Sequence, residues 1–322
     1  MFITKRRFKS AVANINQKLD ALSQELAAIN QRVKPSDSPA IVQLFLQAKA
    51  LNQINLANKD QILEDIQLAE YKVFSQWKDD GIIQFLVNYL NIPNRVFIEF
   101  GVENYNESNT RFLLMNNNWK GLILDGSPAN IASIKEQDIY WKYDLTAVHS
   151  FVTAENINDT IKANGFSGEI GLLHIDIDGN DYWTWKAINC VNPVIVIMEY
   201  NSVFGKEMPW TTPYNASFNR TAAHHSNLYF GASITALTDL AEEKGYKFIG
   251  CNSNGNNAYF VRNDHIGGLK ALSAQEGYVL SKFRESRDEK GNLTYLSGED
   301  RKKILHGMEI FNTRTNSIEA IS

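Results

Sequence analysis

Between residues 95 and 262 the chain repeats one pattern: a short, nearly continuous apolar run, a small or acidic residue, then a helical stretch. The runs are Arg95–Phe100, Leu122–Asp125, Ile139–Tyr143, Ile170–Ile177 and Val194–Tyr200. Runs without polar alternation belong to strands covered on both faces, and strands that alternate with helices build a parallel sheet. The pattern predicts an α/β fold, doubly wound and Rossmann-like. Ala232–Lys244 reads as a helix stopped by Gly245. Tyr246–Cys251 and Asn257–Arg262 then read as two closing strands around an Asn/Gly-rich turn. That completes a mostly parallel seven-stranded sheet with its last strand inserted antiparallel.

The chain ahead of this pattern is helical. Val12, Ile15, Leu19, Leu22, Leu26, Ile29 and Val33 recur at spacings of three and four, the a/d seam of a short coiled coil over 8–33. So narrow a stripe does not fold alone. It calls for a partner helix, either in a homo-oligomer or on the chain's own globular part. Pro35–Pro39 reads as a linker, Ala40 to Tyr71 as a second helical stretch, and residues 79–90 as an amphipathic helix leading into the sheet. The organisation expected is a helical arm over 1–70, a ligand-binding domain over 71–265 and an extension over 266–322. The extension carries a helix near Glu299–Met308 and no assigned role.

A net charge of -4 gives no uniform basic surface, which argues against nucleic acid as a partner. Cys190 and Cys251 match no metal spacing and read as buried thiols in a reducing compartment. No stretch is apolar and long enough to span a bilayer. The basic start, with Lys5, Arg6, Arg7 and Lys9, is not followed by an apolar run, so a secretory signal is not expected and a cytoplasmic location is.

Ligands of open α/β sheets bind beyond the carboxyl ends of the strands, so the residues just after each run carry the chemistry. After the first come Glu99, Gly101 and Glu103. Gly101 permits a close backbone approach, while Glu103 stands where a dinucleotide fingerprint has its second glycine. A carboxylate there repels a pyrophosphate but tolerates an aminoacyl ligand. After the second run comes Asp125, set to accept both ribose hydroxyls of an adenosine, and Ser127, expected to bind the cofactor as well or else to cap the next helix. Asp144 follows the third, where an acid can hydrogen-bond an adenine amino group. Asp176, Asp178 and Asp181 crowd the end of the fourth, and Glu199 and Asn201 that of the fifth. Carboxylates and an amide from adjacent strand ends form a candidate Mg²⁺ site; the alternative is that Asp176 and Asp178 hold the organic ligand and cap a helix.

Taken in order, F-S-Q-W-K-D-D-G-I-I (74–83), F-I-E-F-G-V-E-N-Y-N-E-S-N-T (97–110), W-K-G-L-I-L-D-G-S (119–127), H-I-D-I-D-G-N-D-Y-W (174–183) and M-E-Y-N (198–201) resemble FkbM-type methyltransferases. The resemblance covers about 74–262 and is closest to a bacterial branch associated with surface polysaccharide and sugar modification. It implies S-adenosylmethionine as cofactor, held by Glu99, Gly101, Asp125 and Asp176, with Gln76 and Asn109 near the methionine end. It implies methyl transfer to a hydroxyl, commonly on a sugar or glycan. Glu103 and Asn104 depart from the family's G-A-N-x-G, which bears on methionine recognition rather than on the fold. Some sugar O-methyltransferases, and catechol O-methyltransferase, place Mg²⁺ beside the acceptor, a layout that Asp178, Glu199 and Asn201 resemble.

Such a transfer needs a group to take the acceptor's proton. Asp178 is one candidate; His224 and His225, in an insertion over 202–229 read as an acceptor lid, are the others, or else a solvated loop pair. His174, inside a strand, reads as structural. Trp210, Tyr214, Phe218, Tyr229 and Phe230 give the insertion aromatic faces suited to a sugar, or simply to packing a long loop.

Overall fold

The computed structural model describes residues 39–322. The heptad seam at 8–33, with the oligomer expected of it, and the basic residues at 5–9 lie outside the described residues. Contacts divide the chain into Met1–Gln47 and Ala48–Ser322. Helix α1 covers Pro39–Ala57. The helical stretch expected to run on to Tyr71 is broken instead: a short helix holds Lys59–Ile62, and a 3-10 turn holds Ile66–Ala69. Asp65 starts that turn, its side chain accepting the Gln67 N–H, a cap that a continuous helix would exclude.

The central sheet has seven strands: β1 (Val96–Phe100), β2 (Lys120–Asp125), β3 (Leu145–His149), β4 (Gly168–Ile175), β5 (Val191–Glu199), β7 (Tyr246–Cys251) and β8 (Asn257–Arg262). Their order is β3-β2-β1-β4-β5-β8-β7. Strands β1 to β5 pair in parallel, and β8 lies antiparallel between β5 and β7, as the sequence predicts. Strand order reverses between β1 and β4, which opens the crevice where ligands bind in this fold. Helices α2 (Asp79–Tyr89), α3 (Arg111–Asn117), α4 (Pro128–Glu136), α5 (Ile157–Ala163), α6 (Asp181–Ala187) and α7 (Ile234–Glu243) flank the sheet.

The apolar runs divide residue by residue between two cores. Ile98, Phe100, Leu173, Ile175 and Val196 enter one, and Phe97, Leu172, Ile195 and Ile197 the other. Burial on both faces is why these strands show no polar alternation.

The third strand is not where the sequence suggests. Residues Asp138–Lys142 are helical, and β3 begins at Leu145. Within 138–142 only Ile139 is buried, Trp141 is exposed, and Lys142 pairs with Asp138 one turn away at 3.4 Å. Those are helical spacings. The true β3 is an edge strand, buried at Leu145 and Ala147 and wetter between them.

The insertion after β5 and the extension fold together. Strand β6 (Trp210–Thr211) pairs antiparallel with β9 (Glu309–Asn312), and β9 with β10 (Ser317–Ala320). Behind them lies a third core of Val203, Phe204, Trp210, Leu228, Tyr229, Leu305, Ile310 and Ile321. The predicted helix at 299–308 is present only over Glu299–Lys303.

Candidate functional site

The carboxyl ends of β1, β2, β4 and β5 open into one cavity of about 930 Å³. Its floor holds Glu99, Gly101, Asp125, Asp176, Asp178 and Glu199. Gln76, Trp77 and Asp79 enter from the segment before the sheet, Phe218 and Arg220 from the insertion, and Phe283 and Glu285 from the extension.

Segment 73–79 is held by Asp80. Its buried Oδ2 accepts the N–H groups of Val73, Phe74 and Ser75 at 2.8–2.9 Å and the Ser75 hydroxyl at 2.7 Å. Burial raises the Asp80 pKa to about 6 despite those four bonds, which oppose it. The backbone thus doubles back ahead of α2 and presents Gln76 and Trp77 to the cavity, Trp77 stacking on Phe283 with ring centroids 6.1 Å apart.

At the end of β1, Gly101 has φ 74, and a Cβ there would stand 1.6 Å from the Asp176 carbonyl oxygen. The glycine is therefore required by the close passage of the β1 and β4 ends as well as by its left-handed backbone. Glu103 donates its N–H to Asp125 Oδ2 at 2.7 Å, tying the β1 loop to β2. Asp125 Oδ1 already accepts from Ser127 N (2.8 Å) and Asn130 Nδ2 (3.0 Å). The carboxylate therefore has its remaining acceptor capacity on Oδ2, which is less than two ribose hydroxyls require. Ser127 caps α4 through Asn130 N at 3.3 Å and does not line the cavity.

Glu99 is occupied by the protein itself. Its Oε1 accepts from Asn109 N at 3.0 Å and His174 Nδ1 at 2.9 Å, and its Oε2 accepts from Thr110 N at 3.2 Å and the Thr110 hydroxyl. Asn109 Nδ2 lies 3.2 Å from His174 Nε2, so Glu99, His174 and Asn109 form one buried network on the cavity wall. Burial pulls the His174 pKa down, but its bond to Glu99 and the charges of Glu99, Asp176 and Asp79 together raise it.

Oxygens of Asp176, Asp178 and Glu199 lie within 4.8 Å of one another. The buried Glu199 Oε2 has no hydrogen-bond partner. Burial first, then the charges of Asp176 and Asp178, push the Glu199 pKa well up. Burial and Asp178 raise Asp176 to about 7. Burial also lifts Asp181 to about 6, against the Ile177 and Gly179 N–H groups that its carboxylate accepts. Arg220 faces the cluster, its Nη1 donating to Asp178 Oδ1 at 2.5 Å and its Nε to the Asn227 carbonyl at 2.8 Å, with the guanidinium 3.8 Å from the Phe230 ring centre.

Four residues expected at the site stand elsewhere in the fold, Ser127 among them, and a fifth is committed to another role. Asp144 precedes β3 rather than following it, is exposed, and lies 4.0 Å from Lys120; Ser150 and Phe151 occupy the position beyond that strand. Asn201 is spent on structure: its Nδ2 donates to the Leu228 and Phe230 carbonyls at 2.8 and 3.0 Å, and its Oδ1 accepts the Val203 N–H at 3.0 Å. It caps a 3-10 turn just past the end of β5, and the carboxylate that converges with Asp178 and Glu199 is that of Asp176. The His224 and His225 rings lie 4.2 Å apart, tilted by 36°, and neither lines the cavity. His224 Nδ1 pairs with the Ser226 hydroxyl at 2.7 Å, and burial, then the His225 charge, lowers its pKa. Of the insertion's aromatics Phe218 lines the cavity, while Trp210 and Tyr229 pack the third core.

The sequence reading missed Trp77, Asp79, Arg220, Phe283 and Glu285. Arg220 carried a usable signal, as one of only two cationic residues, with Lys206, in the 202–229 insertion. Phe283 and Glu285 carried none, since they lie outside every strand-helix unit.

Asp80, Asp176, Asp181, Glu199 and His174 all hold protons more tightly folded than unfolded. Between pH of about 4 and 7 the folded chain therefore binds more protons, and its stability falls as pH rises. The unliganded protein should melt roughly 5 °C or more lower at pH 8 than at pH 5 by scanning calorimetry. A flat or rising melting temperature across that interval would show that the cluster is ionised throughout.

No family model matches the chain, and neither does any curated protein sequence. Solved structures of similar architecture include an O-methyltransferase from Bacillus cereus in complex with SAH, 14% identical, covering 73% of this chain and 97% of that one, with a TM-score of 0.40. A S-adenosylmethionine-dependent methyltransferase from Clostridium acetobutylicum is 10% identical, covers 65% of this chain and 99% of that one, and has a TM-score of 0.37. The N-terminal domain of EvdMO1 with SAH bound is 10% identical, covers 65% of this chain and 94% of that one, and has a TM-score of 0.38.

Proposed function

We propose that this chain is an S-adenosylmethionine-dependent O-methyltransferase that methylates a hydroxyl of a sugar or glycan. The observation that carries the reading is the charge of the cavity. Nine acidic residues line it (Asp79, Glu99, Glu103, Glu107, Asp125, Asp176, Asp178, Glu199 and Glu285) against Arg220 and His174. Such a wall suits a ligand that brings a sulfonium and an ammonium, and it repels the pyrophosphate of a dinucleotide or a nucleotide sugar. In this reading the adenosine lies between Asp125 and the Ser150–Val152 turn, and the methionine end runs toward Gln76 and Asn109. The acceptor lies beside Asp178 and Glu199, under Phe218 and Phe283.

The transfer is an in-line displacement. The acceptor oxygen forms a bond to the methyl carbon, the carbon–sulfur bond breaks, and its electron pair returns to sulfur. The hydroxyl proton passes to the acidic cluster, where Asp178 is the most exposed carboxylate. Arg220 holds Asp178 in place and offsets part of the cluster's charge. The donor set also fits a hard divalent cation, because three carboxylates converge and one buried oxygen lacks a partner. Asp176, Asp178 and Glu199 would hold Mg²⁺, which when bound lowers the pKa of a hydroxyl beside it.

Calorimetric titration with S-adenosylhomocysteine tests the reading, with and without Mg²⁺ and beside NAD. Saturable one-site binding of S-adenosylhomocysteine and none of NAD is the expected result. Absence of S-adenosylhomocysteine binding in both buffers would sink the methyltransferase reading and favour a non-catalytic scaffold with the same fold.

A further inference from the structure

Asp79 is a buried acid with no counter-cation among its hydrogen-bond partners. It stands at the first position of α2 and is fully buried, yet it belongs to the cavity wall. Its Oδ1 accepts three bonds, from Asn252 Nδ2 at 3.0 Å, Asn257 Nδ2 at 3.0 Å and the Tyr259 hydroxyl. All three donors are neutral. Its Oδ2 has no partner, and neither does Oδ1 of Asn257, which is also buried and on the same wall. The Asn252 side chain in turn accepts the Gly255, Asn256 and Asn257 N–H groups, so the turn between β7 and β8 is shaped to bring two amides to this one carboxylate.

A buried carboxylate oxygen left bare is strongly unfavourable unless a cation or a donor reaches it. Glu99, the buried acid at the end of β1 on the same cavity, takes four bonds from the protein on its two oxygens. Asp79, by contrast, keeps one oxygen without a partner. We propose that Asp79 Oδ2, with Asn257 Oδ1 beside it, receives the α-ammonium of the cofactor's aminoacyl end. An ammonium carries three donors and one positive charge, which matches two bare acceptors and a negative charge with no cation in hydrogen-bond contact. The proposal rests on the cofactor reading above and adds to it the residue that selects for the amino acid.

Calorimetry on the full chain separates the two claims. The probes are S-adenosylhomocysteine, its deaminated analogue S-adenosyl-4-thiobutyrate, and 5′-methylthioadenosine, which keeps the nucleoside and thioether but lacks the amino acid. Asp79→Asn should weaken S-adenosylhomocysteine by about tenfold or more and leave 5′-methylthioadenosine within about twofold of wild type. The deaminated analogue should bind wild type at least about tenfold more weakly than the parent, a comparison that requires no variant to fold. Equal affinity of wild type for the parent and the deaminated analogue would overturn the assignment while leaving the cofactor reading intact. An equal loss of both nucleosides in a folded Asp79→Asn would do the same. Failure of wild type to bind any of the three would overturn both.

Discussion

Gly101→Ala is expected to destabilise the protein by at least about 4 kcal/mol, at the extreme of single-substitution effects. Two independent costs combine. The backbone at 101 is left-handed, with φ 74, which an alanine adopts only with strain. The added Cβ would also lie 1.6 Å from the Asp176 carbonyl oxygen and 2.8 Å from its carbon. Those are backbone atoms of the neighbouring strand end, in register with β1 through the Phe100–Ile175 pair, and no rotamer change relieves the clash. Gly126→Ala is the matched control: its Cβ would meet only the Phe151 side chain, at 3.4 Å, so the cost should stay below about 1 kcal/mol. Urea unfolding of the two variants measures the contrast. A Gly101→Ala protein as stable as the control would mean that the ends of β1 and β4 can part freely.

Asp125→Ala should lower affinity for S-adenosylhomocysteine about a hundredfold, the largest effect expected at a single side chain of the nucleoside end. The carboxylate has two tasks. It anchors the β1 loop through Glu103 N and the start of α4 through Ser127 N and Asn130 Nδ2. Its remaining lone pair on Oδ2 is proposed to accept a ribose hydroxyl. Bonds to a charged acceptor contribute about 1.5–3 kcal/mol each, so losing one ligand bond together with the loop anchor accounts for the figure. Asp125→Asn keeps the shape and one acceptor oxygen and should lose about tenfold. Titration of both variants checks the order; an alanine variant within threefold of wild type would remove Asp125 from the binding site.

The sheet was legible in the sequence because strands buried on both faces write themselves as unbroken apolar runs. Where that condition fails, so does the reading. Strand β3 is an edge, buried only at alternate positions, and the aromatic pair Tyr140–Trp141 just ahead of it imitates a strand better than Leu145–His149 does. The acids at strand ends were legible because strand ends converge by topology. Which of them remain available to a ligand was not, because that depends on donors distant in sequence: His174 for Glu99, and Asn252, Asn257 and Tyr259 for Asp79. Asn201 shows a further limit. The two-residue alternation from Glu199 holds only while the strand continues, and the backbone turns immediately past Glu199. His224 and His225 have the composition of a base but do not reach the cavity, to which the insertion contributes Phe218 and Arg220 instead.

The pairing of β6 with β9 governs the order in which the cavity can be assembled. Strands β1 to β5 find their neighbours within one strand-helix unit or across the switch point. Trp210 meets Asn312 only after the whole of β7, β8 and the stretch beyond them has been laid down. Contacts between such distant positions form late, because a long loop must close before they gain anything. The insertion that carries Phe218 and Arg220 shares its apolar interior with Leu305, Ile310 and Ile321, so a nascent or truncated chain ending before residue 305 would have a finished sheet and an unfinished cavity wall. If the cavity works as proposed, nucleoside binding and acceptor selectivity are separable in time: the first would mature with the sheet, the second only with the strands that follow it.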